Sequence, residues 1–231
     1  QPTVYAYDQR QRLQVLERRL QTLGLAAGSR VLDFGCGTGD FSRLLLRLGC
    51  DVVGYDPYLA PALSHSRFAY VGSHEAFAKL QGGFALVVSV TVLDHVVDPT
   101  EFAAALARLR ALVAPAGKLL ALEYAPDEEA SSPAPHQAYR SLATWREYLQ
   151  TAGWLLTASL PVPHPVHAPS PAFEAYRRRL VTRLVGRGAR FSLLAPTAAW
   201  ALGALAQRAL DKAGVAEPAK SPLKLMLCSA V

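Results

Sequence analysis

Leucines recur at positions 13, 16, 20 and 23 within residues 5–23, where most other side chains are charged or carry amides. This three-to-four spacing predicts an amphipathic helix whose alternating-charge face is solvated. The period then changes. Residues 30–34, 51–55, 67–72, 84–90 and 118–124 are short aliphatic or β-branched runs without strict alternation. Such runs suit strands of a parallel sheet covered on both faces. Helical spacing fills the intervals over 40–48, 99–112 and 141–154, the last capped by Ser141 and stopped at Gly153. A sixth strand begins near Trp154, and the apolar run 223–231 reads as a closing strand. Strands alternating with helices predict the α/β class.

One stretch breaks the alternation. "PVPHPVHAPSP" (161–171) is a stiff, extended connector. It leads into a basic helix over 172–188 and a mostly apolar helix over 195–214 with proline in its first turn. The uncharged run 191–207 falls short of the ~20 residues of a membrane span. The pattern thus divides the chain into an N-terminal cap helix (1–29), a core (30–160), a helical insertion (161–222) and a last core strand (223–231). The insertion is expected to act as a lid or to pair two copies into a homodimer, with contact at a membrane interface as the alternative.

Charge sharpens this division. The 231 residues carry a net +6, but residues 1–160 hold 14 basic and 15 acidic side chains, whereas 161–222 hold 9 and 3. The basic excess belongs to the insertion, which argues against a nucleic-acid surface spread over the whole protein. Cys36, Cys50 and Cys228 form no C-x-x-C pair. With no charged-then-apolar leader at the start, reduced thiols and a cytoplasmic setting are expected.

The chemistry concentrates in "VLDFGCGTGDFS" (31–42), which reads as strand, glycine turn and helix start. Gly35, Gly37 and Gly39 let a ligand lie against the main chain. A dinucleotide site would place a third glycine where Asp40 stands, and Asp40 with Asp33 opposes a pyrophosphate. A cationic or zwitterionic nucleoside fits better. Asp56 ends the second strand, 21 residues after Gly35, where a carboxylate can accept hydrogen bonds from a ribose diol.

These residues, with "FALVVSVTVLDHVVDP" (84–99) and "LRALVAPAGKLLALEYAP" (109–126), resemble the ordered motifs of the class I S-adenosylmethionine (SAM) dependent methyltransferases. The resemblance implies a doubly wound, seven-stranded Rossmann-like sheet with helices on both faces. It places the last strand antiparallel beside the sixth. It also implies SAM as ligand, with Asp56 and the following Pro57 at the ribose and Asp33 near the methionine ammonium. Members often carry an acid after strand three to read the adenine amine. Here Ser73 and the His74 backbone stand at that place. The family joins its last two strands by a short turn, so the insertion is a departure.

Thr91, Asp94 and His95 lie on the loop after the fourth strand, at the carboxyl edge. An Asp–His pair suggests general-base work, although neighbours on a helical turn do not face each other, and many relatives carry an acid and a histidine here with a structural duty. Tyr5 and Tyr7 on the first helix, with Phe173 and Tyr176 on the basic helix, are candidates for an aromatic box around the sulfonium. Tyr7 and Tyr176 are its expected catalytic members; core packing is the alternative duty. The arginines at 177–179, 183, 187 and 190 suit an anionic acceptor or a solvated face. His164 and His167 lack the nearby acids or cysteines of a metal site, and none is expected.

Three functions remain open. The first is methyl transfer to a small-molecule acceptor. Overall similarity also extends to the azetidine-2-carboxylate synthases of this fold, which implies cyclisation of SAM on itself with release of methylthioadenosine. The third is a non-catalytic SAM-binding module that docks a partner through the basic helix.

Overall fold

The computed structural model describes residues 2–130, 132, 134–162 and 221–231, with side chains from residue 12 onward. Expectations for 163–220 lie outside the described residues. The elements run α1 (Pro2–Thr22), β1 (Arg30–Phe34), α2 (Asp40–Arg47), β2 (Asp51–Tyr55), β3 (Phe68–Val71), α3 (His74–Ala78), β4 (Phe84–Val90), α4 (Pro99–Leu112), β5 (Val113–Tyr124), α5 (Leu142–Thr151), β6 (Trp154–Pro161) and β7 (Leu223–Ala230). A single 3-10 turn, Leu93–His95, follows β4.

The seven strands are ordered β3-β2-β1-β4-β5-β7-β6. β1 pairs in parallel with β2 and β4, and β4 with β5. β7 runs antiparallel to β5 and β6 and lies between them, not merely beside β6. From β1 the chain moves outward to β2; from β4 it moves the other way to β5. Right-handed crossovers therefore place α2 and α4 on opposite faces. The strand order reverses between β1 and β4, and ligands of such sheets bind outside the carboxyl ends of the strands at that reversal.

Burial follows the two-faced covering. Val31, Leu32, Asp33 and Phe34 of β1 are all buried, and β7 is buried from Leu223 to Cys228. A continuous core joins Leu32, Val87, Phe102, Leu106, Trp145 and Met226. Two buried indoles each donate to a backbone carbonyl, Trp145 to Tyr124 at 3.2 Å and Trp154 to Leu106 at 3.1 Å. These bonds satisfy N–H groups that would otherwise be stranded in the core.

Two elements differ from the sequence expectation. β5 starts at Val113 rather than 118, because Val113 pairs with Phe84 before a register shift restores the ladder at Lys118. The helix α3 was not expected. It is five residues long with no buried residue, so it leaves no apolar period to read.

α4 has a well-formed start. Asp98 accepts from the Thr100 and Glu101 amides at 2.7 and 2.9 Å, with Pro99 in the first turn. Asp98→Ala is expected to lower stability by about 1 kcal/mol. A thermal melt that did not move would remove the cap from the stabilising contacts.

The chain divides into two compact units. One comprises residues 17–161 with 222–231 and holds the sheet; the other comprises 1–16 with 162–221. In the second unit, Ser221 donates to the Val162 carbonyl at 2.5 Å, joining the two ends of that segment. Among the described residues no helix is long and apolar enough to cross a membrane.

Candidate functional site

The loop after β1 is built from its glycines. The Gly35 and Cys36 amides both donate to the Tyr55 carbonyl, at 2.8 and 2.9 Å, which binds the loop to the end of β2. Gly35 has φ +75°, and a Cβ there would lie 2.2 Å from Cγ2 of Val92. Glycine at 35 is thus a packing requirement between this loop and the one after β4. Gly37, at φ +49°, faces open space: a Cβ would meet no atom within 4 Å. Gly39 caps α2 in the left-handed conformation, without a side-chain hydrogen bond.

Asp33 lies beneath this loop, 1% exposed. It accepts the Ser42 hydroxyl at 2.6 Å and so joins β1 to the first turn of α2. Burial raises its pKa to about 6, against the lowering from the Ser42 hydrogen bonds. Burial, with Asp33 and Asp56 nearby, also pushes the Cys36 thiol up to about 12, so Cys36 is no nucleophile. Asp40 accepts from the Thr38 hydroxyl at 2.9 Å and pairs with Arg43 at 3.3 Å. Its charge at the loop is thereby partly balanced.

Asp56 ties the two strand ends together. Oδ2 accepts from the Gly37 amide at 3.0 Å; Oδ1 accepts from the Tyr58 and Leu59 amides, both at 2.9 Å. Pro57 has no N–H to compete, and its fixed φ suits the turn. A carboxylate offers about four acceptor sites, so three amides leave capacity for a ligand hydroxyl. The Tyr70 hydroxyl donates to the Asp56 carbonyl at 2.6 Å. Ser73 accepts from the Ala76 amide at 3.1 Å and caps α3, and His74 Nδ1 lies 2.8 Å from the Tyr55 hydroxyl. Both side chains have local partners, beside Tyr58, which is 90% exposed.

The loop after β4 shows backbone strain. Thr91 has φ +51°, the one non-glycine residue at positive φ among the described residues. A β-branched residue there is unfavourable, and such outliers gather at functional sites. Asp94 is 1% exposed whereas His95 is exposed, and His95 Nε2 lies 3.9 Å from Asp94 Oδ1. A hydrogen-bonded Asp–His base pair is therefore not formed. Neighbours on a 3-10 turn point about 120° apart. Asp94 instead accepts from Gln137 Nε2 at 3.1 Å, and its carbonyl accepts from the Ala138 amide at 2.7 Å. His95 stacks on His136, centroids 5.7 Å apart and planes within 2°.

Sequence reasoning missed Glu123, at the end of β5. It is fully buried, and its carboxyl group accepts from Ser89 Oγ at 2.7 Å and from the amides of Val92, Leu93 and Asp94 at 3.1, 3.3 and 3.4 Å. Burial first, then the nearby Asp94, pushes it up to about 8. The signal was a lone acid in the otherwise apolar "LLALEY". Arg140 was also missed. Its guanidinium lies 3.8 Å above the Phe102 ring and donates to the Val96 and Val97 carbonyls at 2.6 and 3.2 Å, which holds the far end of the loop.

Thus Asp33, Gly35, Gly37, Gly39, Asp56, Pro57, Thr91, Asp94 and His95 lie at the carboxyl ends of β1, β2 and β4, and Ser73 and His74 just beyond the carboxyl end of β3. The side chains of Tyr5 and Tyr7 lie outside the described residues, as do His164, His167, Phe173, Tyr176 and the arginines from 177 to 190.

A family model described as "Methyltransferase domain" matches residues 7–159. A ubiquinone biosynthesis O-methyltransferase of Xanthomonas oryzae is 42% identical over 105 residues, covering 40% of this chain and 42% of that protein. The protein of the same name from Bradyrhizobium diazoefficiens is 32% identical over 112 residues, covering 45% and 43%. The chain thus spans less than half the length of these curated relatives. Among solved structures, the 1,6-didemethyltoxoflavin-N1-methyltransferase of Burkholderia thailandensis, with S-adenosylhomocysteine bound, superposes with a TM-score of 0.55 at 22% identity, covering 70% of this chain and 75% of that one. The phosphoethanolamine N-methyltransferase 2 of Haemonchus contortus, in complex with SAM, gives 0.57 at 19% identity, covering 92% and 50%. At these identities the superpositions establish the shared fold.

Proposed function

The chain belongs to the class I SAM-dependent methyltransferase family, and we propose that it is an enzyme that transfers the methyl group of SAM to a small-molecule acceptor. The observation that carries this reading is the joint placement of Asp56 and Gly37. A carboxylate with spare acceptor capacity stands at the end of β2, hydrogen-bonded to a glycine amide whose other side is open space. That arrangement fits a nucleoside with its ribose hydroxyls at Asp56 and its chain along the loop of Gly35–Gly39. When bound, SAM would supply an electrophilic methyl group on a sulfonium.

The chain's own residues would then bind and orient. Asp56 would accept from the ribose. Asp33, buried below, would favour a positive ammonium through its field. Pro57, Ser73 and His74 would border the base. Thr91, Asp94 and His95 would form the wall toward the acceptor, with Tyr7 and Tyr176 as the proposed aromatic faces. Alignment of nucleophile and methyl group can supply most of the acceleration, which agrees with the lack of a hydrogen-bonded base pair at Asp94–His95. Three buried free cysteines support the proposal of a reducing, cytoplasmic setting. The segment 161–222 is the proposed lid or dimerisation element.

The curated relatives are named as O-methyltransferases, so small-molecule hydroxyls are the first acceptors to test, followed by amines. Purified protein with SAM and a panel of such acceptors is expected to give S-adenosylhomocysteine only when an acceptor is present. Methylthioadenosine released from SAM alone, above the spontaneous background, would replace methyl transfer by cyclisation. SAM binding without any turnover would leave a binding module.

A further inference from the structure

The ligand-edge loop after β4 is held from beneath by a group outside it. Four donors converge on Glu123: the Ser89 hydroxyl on β4 and three consecutive amides, Val92, Leu93 and Asp94. Three of them meet Oε1, and the Asp94 amide meets Oε2 at 3.4 Å. The segment so held follows directly on Thr91, whose amide donates to the Leu122 carbonyl at 2.8 Å. It includes Val92, whose side chain limits residue 35 to glycine. Glu123 thereby fixes the contact between the two loops that border the proposed nucleoside site.

We propose that Glu123 is a positioning residue for the ligand edge: its buried carboxyl group sets the backbone of residues 92–94, and through it the seat of Val92 against the loop after β1. The proposal rests on the nucleoside site described above and assigns the geometry of its β4 wall to a side chain on β5.

The charged and titratable surroundings oppose ionisation of Glu123. Asp94 stands on the loop itself. Lys224 occupies the position opposite Glu123 on β7, but its ammonium is held by Asp127 at 3.0 and 3.1 Å. Tyr139 and Arg140 on the following loop feel the Asp94 charge. With Lys224 engaged elsewhere, a second buried negative charge is unfavourable. Burial, with Asp94 nearby, has raised Glu123 to about 8. Its folded-state value lies above the ordinary 4.5. Its contribution to stability is therefore complete below about 4.5 and is lost as pH rises through about 8. Above that pH, repulsion between the two carboxylates acts on the turn that carries Asp94.

The experiment uses the full chain with Glu123→Gln, Glu123→Asp and Glu123→Ala. Melting temperature without ligand and SAM affinity by calorimetry are measured from pH 5 to 9. The wild type is expected to lose melting temperature steadily toward pH 8 and to bind SAM several-fold more weakly at pH 9 than at pH 6.5. Glutamine keeps an acceptor for Ser89 and the amides but cannot ionise, so both profiles should flatten. Aspartate, one methylene shorter, should weaken SAM binding about tenfold at pH 6.5, because it withdraws from the amides. Alanine should weaken it further or fail to fold; in the latter case the glutamine and aspartate variants decide. A glutamine variant with the wild-type melting profile, or a folded alanine variant with wild-type affinity, overturns the proposal. A wild type that does not bind SAM removes the functional reading, and the ligand-free melting profiles still decide the clamp.

Discussion

Asp56→Ala is expected to lower SAM affinity by at least about 100-fold, and the loss has two separable sources. The carboxylate is the proposed ribose acceptor, and hydrogen bonds to a charged group contribute about 1.5–3 kcal/mol. It also holds the Gly37, Tyr58 and Leu59 amides. Alanine releases all three, so the loop after β1 and the turn after β2 lose their common anchor. A hundredfold change corresponds to about 2.7 kcal/mol, which either source could nearly supply alone. Asp56→Asn separates them. An amide oxygen can still serve Tyr58 and Leu59, but the amide nitrogen faces the Gly37 N–H donor to donor. About a tenfold loss is expected there. Calorimetry on folded variants gives both values; unchanged affinity in Asp56→Ala would take Asp56 out of the site.

The acids of the carboxyl edge share a pattern. Asp33 holds Ser42 at the start of α2, Asp56 holds Gly37, Glu123 holds residues 92–94, and Asp94 holds Gln137. Loops at the end of a parallel sheet leave amides without ladder partners, and buried amides need acceptors. Asp56 and Glu123 meet that need, and the acids that stay ionised, Asp56 above all, give the edge a negative field. A pyrophosphate is disfavoured by that field and a sulfonium or ammonium is favoured. Ligand choice and loop construction thus follow from the same side chains.

What could be read from the sequence depended on how local its cause was. The run into the glycines at 35–39 specified β1, its turn and the start of α2, because strand burial, left-handed backbone and helix start are consecutive in sequence. The start of α4 has an equally local cause, Asp98 capping the turn that Pro99 opens. Asp56 was legible because a doubly wound fold fixes the strand it ends. Glu123 was not, because its role is created by Ser89 and by amides some thirty residues earlier in the chain. The partners of Arg140 lie 43 and 44 residues away. For the Asp94–His95 pair both readings were local: adjacency suggested general-base work, and turn geometry argued that the two do not face each other; the 3-10 turn places one side chain in the core and the other outward.

The glycines give the sharpest test of where the ligand lies, because two of them are glycine for different reasons. At Gly35, alanine would place its Cβ 2.2 Å from the Val92 side chain in a backbone at φ +75°. The loops after β1 and β4 would have to separate, so Gly35→Ala should lose both stability and SAM binding. At Gly37, a Cβ meets nothing within 4 Å. The penalty there is the left-handed backbone, roughly 1–2 kcal/mol for an L-residue. Gly37→Leu should therefore fold with a melting temperature lowered by only about 2–8 °C. Its side chain would occupy the space proposed for the nucleoside, so SAM affinity should fall by more than about 100-fold. Melting curves and calorimetry on the two variants separate a packing glycine from a ligand glycine. A folded Gly37→Leu that binds SAM as tightly as the wild type would show that the ligand does not cross the loop at Gly37. The functional assignment would then have to move along the carboxyl edge toward β4.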